Sequence, residues 1–171
     1  MRALVFAVAL CLGNAVQAHL LPAQHATLRF ADSRVYLVLA IRPSALAGSL
    51  APGAPMTSDE FAARYDELAQ RVIQGVTLDS AAGSAELLDL RLAPTLAHDS
   101  RRHELDQITV LAVFDLSRGS DLVFATELFG SEPGGDRYEI ICSDRDGRRR
   151  QSYVLTRDEP QVNLQSFVLA R

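Results

Sequence analysis

Tryptophan and lysine are both missing from this sequence, and it holds only two cysteines, Cys11 and Cys142. The first absence removes the ring most used to stack sugars, although Tyr and Phe remain. The second means that all 17 cationic side chains are arginine, against 21 Asp and Glu, for a net charge of -4. A mildly acidic chain is a poor match to nucleic acid, whose binding rests on phosphate neutralisation. Enzyme signatures are also missing: there is no nucleophile elbow, paired carboxylate site, Gly-rich phosphate loop or His-Glu-x-x-His helix. The expectation is therefore a protein that is not an enzyme.

An apolar N-terminal leader is present. Arg2 gives a short positive region, residues 3–12 are apolar, and Val16-Gln17-Ala18 has the small-residue spacing of a cleavage signal. The run is shorter than the ~20 residues that a spanning helix needs, and no later run is long enough either. Residues 1–18 are thus expected to be a removed signal peptide, with residues 19–171 forming a single β-sandwich domain in the periplasm or outside the cell. Leu10 before Cys11 does not suit a lipoprotein signal. Only Cys142 then remains, so no internal disulfide can form; the reading for it is a buried strand thiol. A domain of this length buries roughly 70% of its unfolded surface and can fold without staples.

Period-two alternation dominates the mature chain. Residues 26–30 and 34–41 read as a hairpin joined at Ala31-Asp32-Ser33. The second strand is apolar on both faces, with Val35, Leu37, Leu39 and Ile41 on one and Tyr36, Val38 and Ala40 on the other, so both faces are expected to be covered. A loop over residues 43–55 leads to a helix start, where Thr57 and Glu60 have capping-box spacing. Phe61, Tyr65, Leu68 and Val72 form one stripe, and Gly75 sits where a helix would end. The prediction is one helix over residues 58–74, packed on the sheet face that carries Val38. The alternative use of its stripe is docking a partner helix.

Short strands follow over residues 76–79, 88–92, 107–115, 122–128, 137–143, 151–156 and 164–169. Turns at Arg118-Gly119, Pro133-Gly134-Gly135 and Asp146-Gly147 separate several of them. This spacing predicts a mainly β fold, an immunoglobulin-like β-sandwich with one inserted α-helix.

Cleavage after Ala18 would make His19 the first residue. An N-terminal histidine chelates one metal through its amine and ring, and a second imidazole completes a three-nitrogen set suited to Cu(II). The candidate metal ligands are His19, His25, His98 and His103, with Asp99 or Glu104 as acidic partners. His25 is six residues from His19, about 20 Å if extended, so the chain must fold back, which Pro22 permits. Calcium is not expected. Counting back from Glu60 as the twelfth position of an EF-hand loop sets Ala51, Gly53 and Pro55 where carboxylates are needed. Asp144-Arg145-Asp146-Gly147 lacks its closing Glu and reads as a hairpin tip, made basic by Arg145, Arg148, Arg149 and Arg150.

The start His19-Leu20-Leu21-Pro22-Ala23-Gln24-His25-Ala26-Thr27-Leu28 resembles a group of uncharacterised exported bacterial proteins that open Ala-His-Leu-x-x-Ala-Gln-x-Gly-Thr-Leu. Members carry an Asp-rich EF-hand-like loop before the helix, where this chain has Gly48 to Met56. The resemblance implies export and a β-rich domain. More distantly, a mature histidine opening a β-sandwich is similar to the periplasmic copper carriers of the CopC type and to copper-dependent polysaccharide monooxygenases. Two functions follow as expectations: an exported copper or transition-metal binding sandwich, or a non-catalytic periplasmic accessory module that binds an unknown protein partner, such as a membrane protein.

Overall fold

Alternating burial builds the first hairpin. In β1 (His25–Ala31) Ala26, Leu28 and Phe30 are buried, and in β2 (Arg34–Ile41) Val35, Leu37, Leu39 and Ile41 are. The computed structural model describes residues 24–46, 55–98, 102–116 and 121–164. The two strands pair antiparallel from His25↔Ala40 to Ala31↔Arg34. Asp32 turns the chain with a φ of 54°, a left-handed conformation that a short polar side chain tolerates. A 3-10 turn over Pro43–Ala45 follows. Then come α1 (Ser58–Ala63), α2 (Tyr65–Gly75), β3 (Val76–Ser80), β4 (Gly83–Ser84) and β5 (Glu86–Leu96). The described elements end with β6 (Leu105–Asp115), β7 (Val123–Thr126), β8 (Arg137–Asp144), β9 (Arg150–Thr156) and β10 (Gln161–Asn163).

These strands make two sheets, one in the order β5-β6-β2-β1-β8-β9 and one in the order β10-β7-β3-β4. Every pair is antiparallel except β1 with β8, which runs parallel in the register His25↔Glu139 to Phe30↔Asp144. One buried cluster joins Leu37 and Ile140 of the large sheet, Leu78 and Phe124 of the small sheet, and Leu68 and Val72 of α2. The fold is thus a mainly β sandwich with a helical insertion, as the alternating pattern and the single amphipathic stripe lead one to expect. Among the described residues no helix is long and apolar enough to cross a membrane.

The helical segment departs from expectation in two ways. It breaks at Arg64, which has φ -115° and ψ 14° and serves as C-cap of α1 and N-cap of α2. The Arg64 guanidinium donates to both carboxylate oxygens of Glu67, at 2.8 and 2.7 Å. The break lies between buried Phe61 and Tyr65, whose rings meet edge-on at 5.8 Å. The helix also packs elsewhere than expected: α2 lies against β3 and β5 rather than on the face carrying Val38. Connectivity explains this, because Gly75 is followed directly by Val76 of β3. That junction ties α2 to the small sheet.

Other differences are local. β5 and β6 extend to 11 residues each, and β5 carries a bulge between Leu87 and Asp89. The strand expected over residues 122–128 is shorter, ending at Thr126. The Glu127 amide still bonds to the Gly75 carbonyl at 2.8 Å in the same register, but Gly75 is the last residue of α2, so the partner strand goes no further. The last described strand is Gln161–Asn163, which pairs with β7. His19, the leader, Asp99, Arg118-Gly119 and residues 165–169 lie outside the described residues.

Candidate functional site

His25 is the first residue of β1, and its neighbour across the parallel ladder is Glu139 of β8. Their side chains meet, with Nε2 3.1 Å from Oε2. Both are partly exposed, so the pair sits at the surface and exchanges with water. The backbone at this point is firmly held. Gln24 takes a φ of 68°, its amide donates to Ala40 O at 2.8 Å and its carbonyl accepts from Glu139 N at 3.1 Å. The buried Gln24 side chain donates from Nε2 to Gly135 O at 2.9 Å. The chain therefore enters the sheet at a fixed angle, and the imidazole is presented on the outer side of the large sheet, opposite the face of Ala26 and Leu28.

The other two described histidines do not join it. His98 and His103 belong to the connection between β5 and β6. Row by row, His25 aligns with Ala40, Thr109 and Ala93. His103 lies past Leu105, the first residue of β6, which is itself four residues or roughly 13 Å beyond that row along the strand direction. His98 and His103 share the end of the large sheet with His25 without converging on it. His103 has a structural role instead: it takes a φ of 54°, and its carbonyl accepts the Ser58 amide at 3.0 Å at the start of α1. Glu104 forms a bridge with Thr57, and its carbonyl accepts from Ala97 N at 2.8 Å. Among the described residues no group of three or more His, Cys, Asp or Glu side chains could hold a metal ion. They supply one imidazole with an adjacent carboxylate, and the His19 amine and ring lie outside them.

Glu139 is the residue that sequence patterns miss. It is 114 positions from His25, and nothing in its strand signals a partner. Only the parallel pairing of the first strand with the eighth brings the two together. A second polar cluster lies nearby, where Ser44 Oγ donates to Glu132 Oε2 at 2.5 Å and accepts from Ser131 N at 3.2 Å. No imidazole stands between that hydroxyl and that carboxylate among these contacts, so they lack the proton relay of a serine nucleophile. Arg157 donates to Gly130 O at 2.8 Å and lies over the Phe129 ring, which secures the same loop.

Cys142 is fully buried in β8. Burial pushes its thiol up to about 12, so it is protonated and unreactive at neutral pH. The reading of a strand thiol holds.

The outer side of the large sheet is the other feature of note. Tyr36 and Leu111 are 39% and 41% exposed. With partly buried Val38 and Val113 they make an apolar strip across β2 and β6. This is the face on which the helix was expected to lie. Comparison with known proteins adds no relative: no protein-family model and no curated protein sequence matches the chain.

Proposed function

We propose that this chain is an exported, non-catalytic β-sandwich of the periplasm or extracellular space that binds copper, or a similar transition metal, through His19 at the mature N-terminus and His25. The observation that supports this reading is the His25–Glu139 pair, 3.1 Å apart at the start of the first strand. A carboxylate bonded to a ligating imidazole orients the ring and raises its basicity. The amine and ring of His19 would complete a three-nitrogen set, which suits Cu(II). His98 and His103 have no part in this reading, because the connection that carries them reaches away from the His25 row.

The test is mass spectrometry of the exported protein, followed by Cu(II) titration of that sample with electron paramagnetic resonance. A His19 start with a one-to-one, multi-nitrogen signal is expected. His25→Ala should remove one nitrogen from the signal, and Glu139→Gln should weaken binding by roughly 10- to 100-fold. Equal affinity in protein carrying one extra residue before His19 would sink the reading.

A second reading, a periplasmic interaction module, rests on the apolar strip of Tyr36, Val38, Leu111 and Val113. Antiparallel sheets with one face in water usually alternate to polar residues on that face, and this strip does not. Cross-linking in cells should recover a specific partner through that face, and recovery of none would count against it.

A further inference from the structure

We infer that the exposed part of the outer face of the six-stranded sheet, around Tyr36 and Leu111 and away from buried Ala40 and Gln107, is a self-association surface, occupied by a second copy of this chain packed face to face. The inference deepens the interaction reading above and is independent of metal binding. Its basis is the order of side chains across the face. Along one row the outward residues of β5, β6, β2 and β1 are Asp89, Val113, Tyr36 and Arg29. In the next row they are Arg91, Leu111, Val38 and Thr27. The centre is apolar in both rows. In the first row, charge runs from negative on one side of that centre to positive on the other.

An arrangement of this kind complements itself. A two-fold axis parallel to the strands, above the seam between β6 and β2, exchanges the two sides of the strip. It sets Asp89 of one copy opposite Arg29 of the other, Val113 opposite Tyr36, and Leu111 opposite Val38. Each contact then occurs twice, as an isologous interface requires. Strands of the two copies run in line, which is the aligned mode of sheet-on-sheet packing. The surface is also shaped to receive side chains, because a shallow groove of about 290 Å³ lies among Tyr36, Val38, Asp89, Arg91, Leu111 and Val113.

The charges are held within the chain only by exposed contacts, the Arg29 guanidinium donating to the Arg145 carbonyl. Asp89 and Arg91 lie 3.5 Å apart within the chain, with their side chains 54% and 75% exposed. An exposed pair of that kind is worth ~0–1 kcal/mol. With the axis above the β6–β2 seam, only β5, β6, β2 and β1 overlap, and four strands at ~4.8 Å spacing and about 20 Å of length offer roughly 400 Å² per copy. A standard interface uses about 800 Å² per partner. The expected dimer is accordingly weak and concentration-dependent.

Sedimentation velocity of the exported chain over a wide concentration range tests this. The sedimentation coefficient should rise with concentration toward that of a dimer. Leu111→Asp should raise the dimer dissociation constant by more than about tenfold, since the change enters the interface twice. Asp89→Arg should also weaken the dimer, and adding Arg29→Asp should restore it, while thermal melts show that all variants fold. A monomer at every concentration, a dimer indifferent to Leu111→Asp, or a double variant that fails to restore association would each overturn the proposal. A monomer that still cross-links to another protein through this face would leave the interaction reading standing without it.

Discussion

Single buried groups make testable demands on pH. Burial raises the Cys142 thiol from 9.0 to about 12 and raises the Tyr138 hydroxyl above its usual 10.0. A raised acid keeps its proton in the native state at pH values where the unfolded chain has lost it. The stabilisation is therefore fully present below pH 9 and is lost as pH rises toward 12. The slope is at most about 1.4 kcal/mol per pH unit for each group. Melting temperature followed from pH 8 upward should fall above pH 9, and Cys142→Ala should flatten part of that fall. An unchanged alkaline slope in Cys142→Ala would show that the thiol ionises equally in both states. Tyr138 belongs to the same core and its hydroxyl donates to the Leu128 carbonyl, so it adds to the decline in the same direction. Cys142 was readable as a buried strand thiol, whereas the depth of Tyr138 was not, because it depends on what the opposite sheet supplies.

At the scale of the element, the start of α1 is the clearest case of local sequence setting local structure. Thr57 Oγ1 accepts from the Glu60 amide at 3.3 Å, and Glu60 Oε2 accepts from the Thr57 amide at 2.9 Å. Thr57→Ala should lower stability by about 1 kcal/mol. Because the two bonds are reciprocal, the double variant with Glu60→Ala should cost less than the sum of the single changes. Additive losses in urea titrations would show that the box does not act as a unit. This start was readable because capping depends on residues three apart. The strands β1 and β2 were readable for a similar reason, since two-residue alternation records which face is buried. What lay beyond reach was the assignment of faces to partners. The stripe of Leu68 and Val72 states that the helix buries one side, but its position depends on Gly75 leading straight into β3. Likewise Tyr36, Val38 and Ala40 look like residues to be covered, and here Ala40 is buried and Val38 half-buried while Tyr36 is exposed. His25 was a candidate from its residue type alone, and its partner Glu139 became visible only through the strand order.

For the molecule as a whole, the central question is whether the two sheets stand as one cooperative unit. The buried cluster runs without interruption from Leu37 and Ile140 in the large sheet to Leu78 and Phe124 in the small one, with Leu68 of α2 beside them. Each of these residues is no more than 1% exposed. A core shared in this way should not allow either sheet to unfold alone, so urea denaturation should be two-state. Leu37→Ala and Phe124→Ala, placed in different sheets, should each cost about 2–5 kcal/mol and move the same single transition. Tyrosine fluorescence must serve as the tertiary probe because the chain has no tryptophan, with far-ultraviolet circular dichroism as the secondary one. Coincident curves are expected for the wild type and for both variants. If Phe124→Ala instead produced a first transition confined to part of the dichroism signal, the small sheet and its helix would be a separable layer. The large sheet would then have to hold its own apolar face against water.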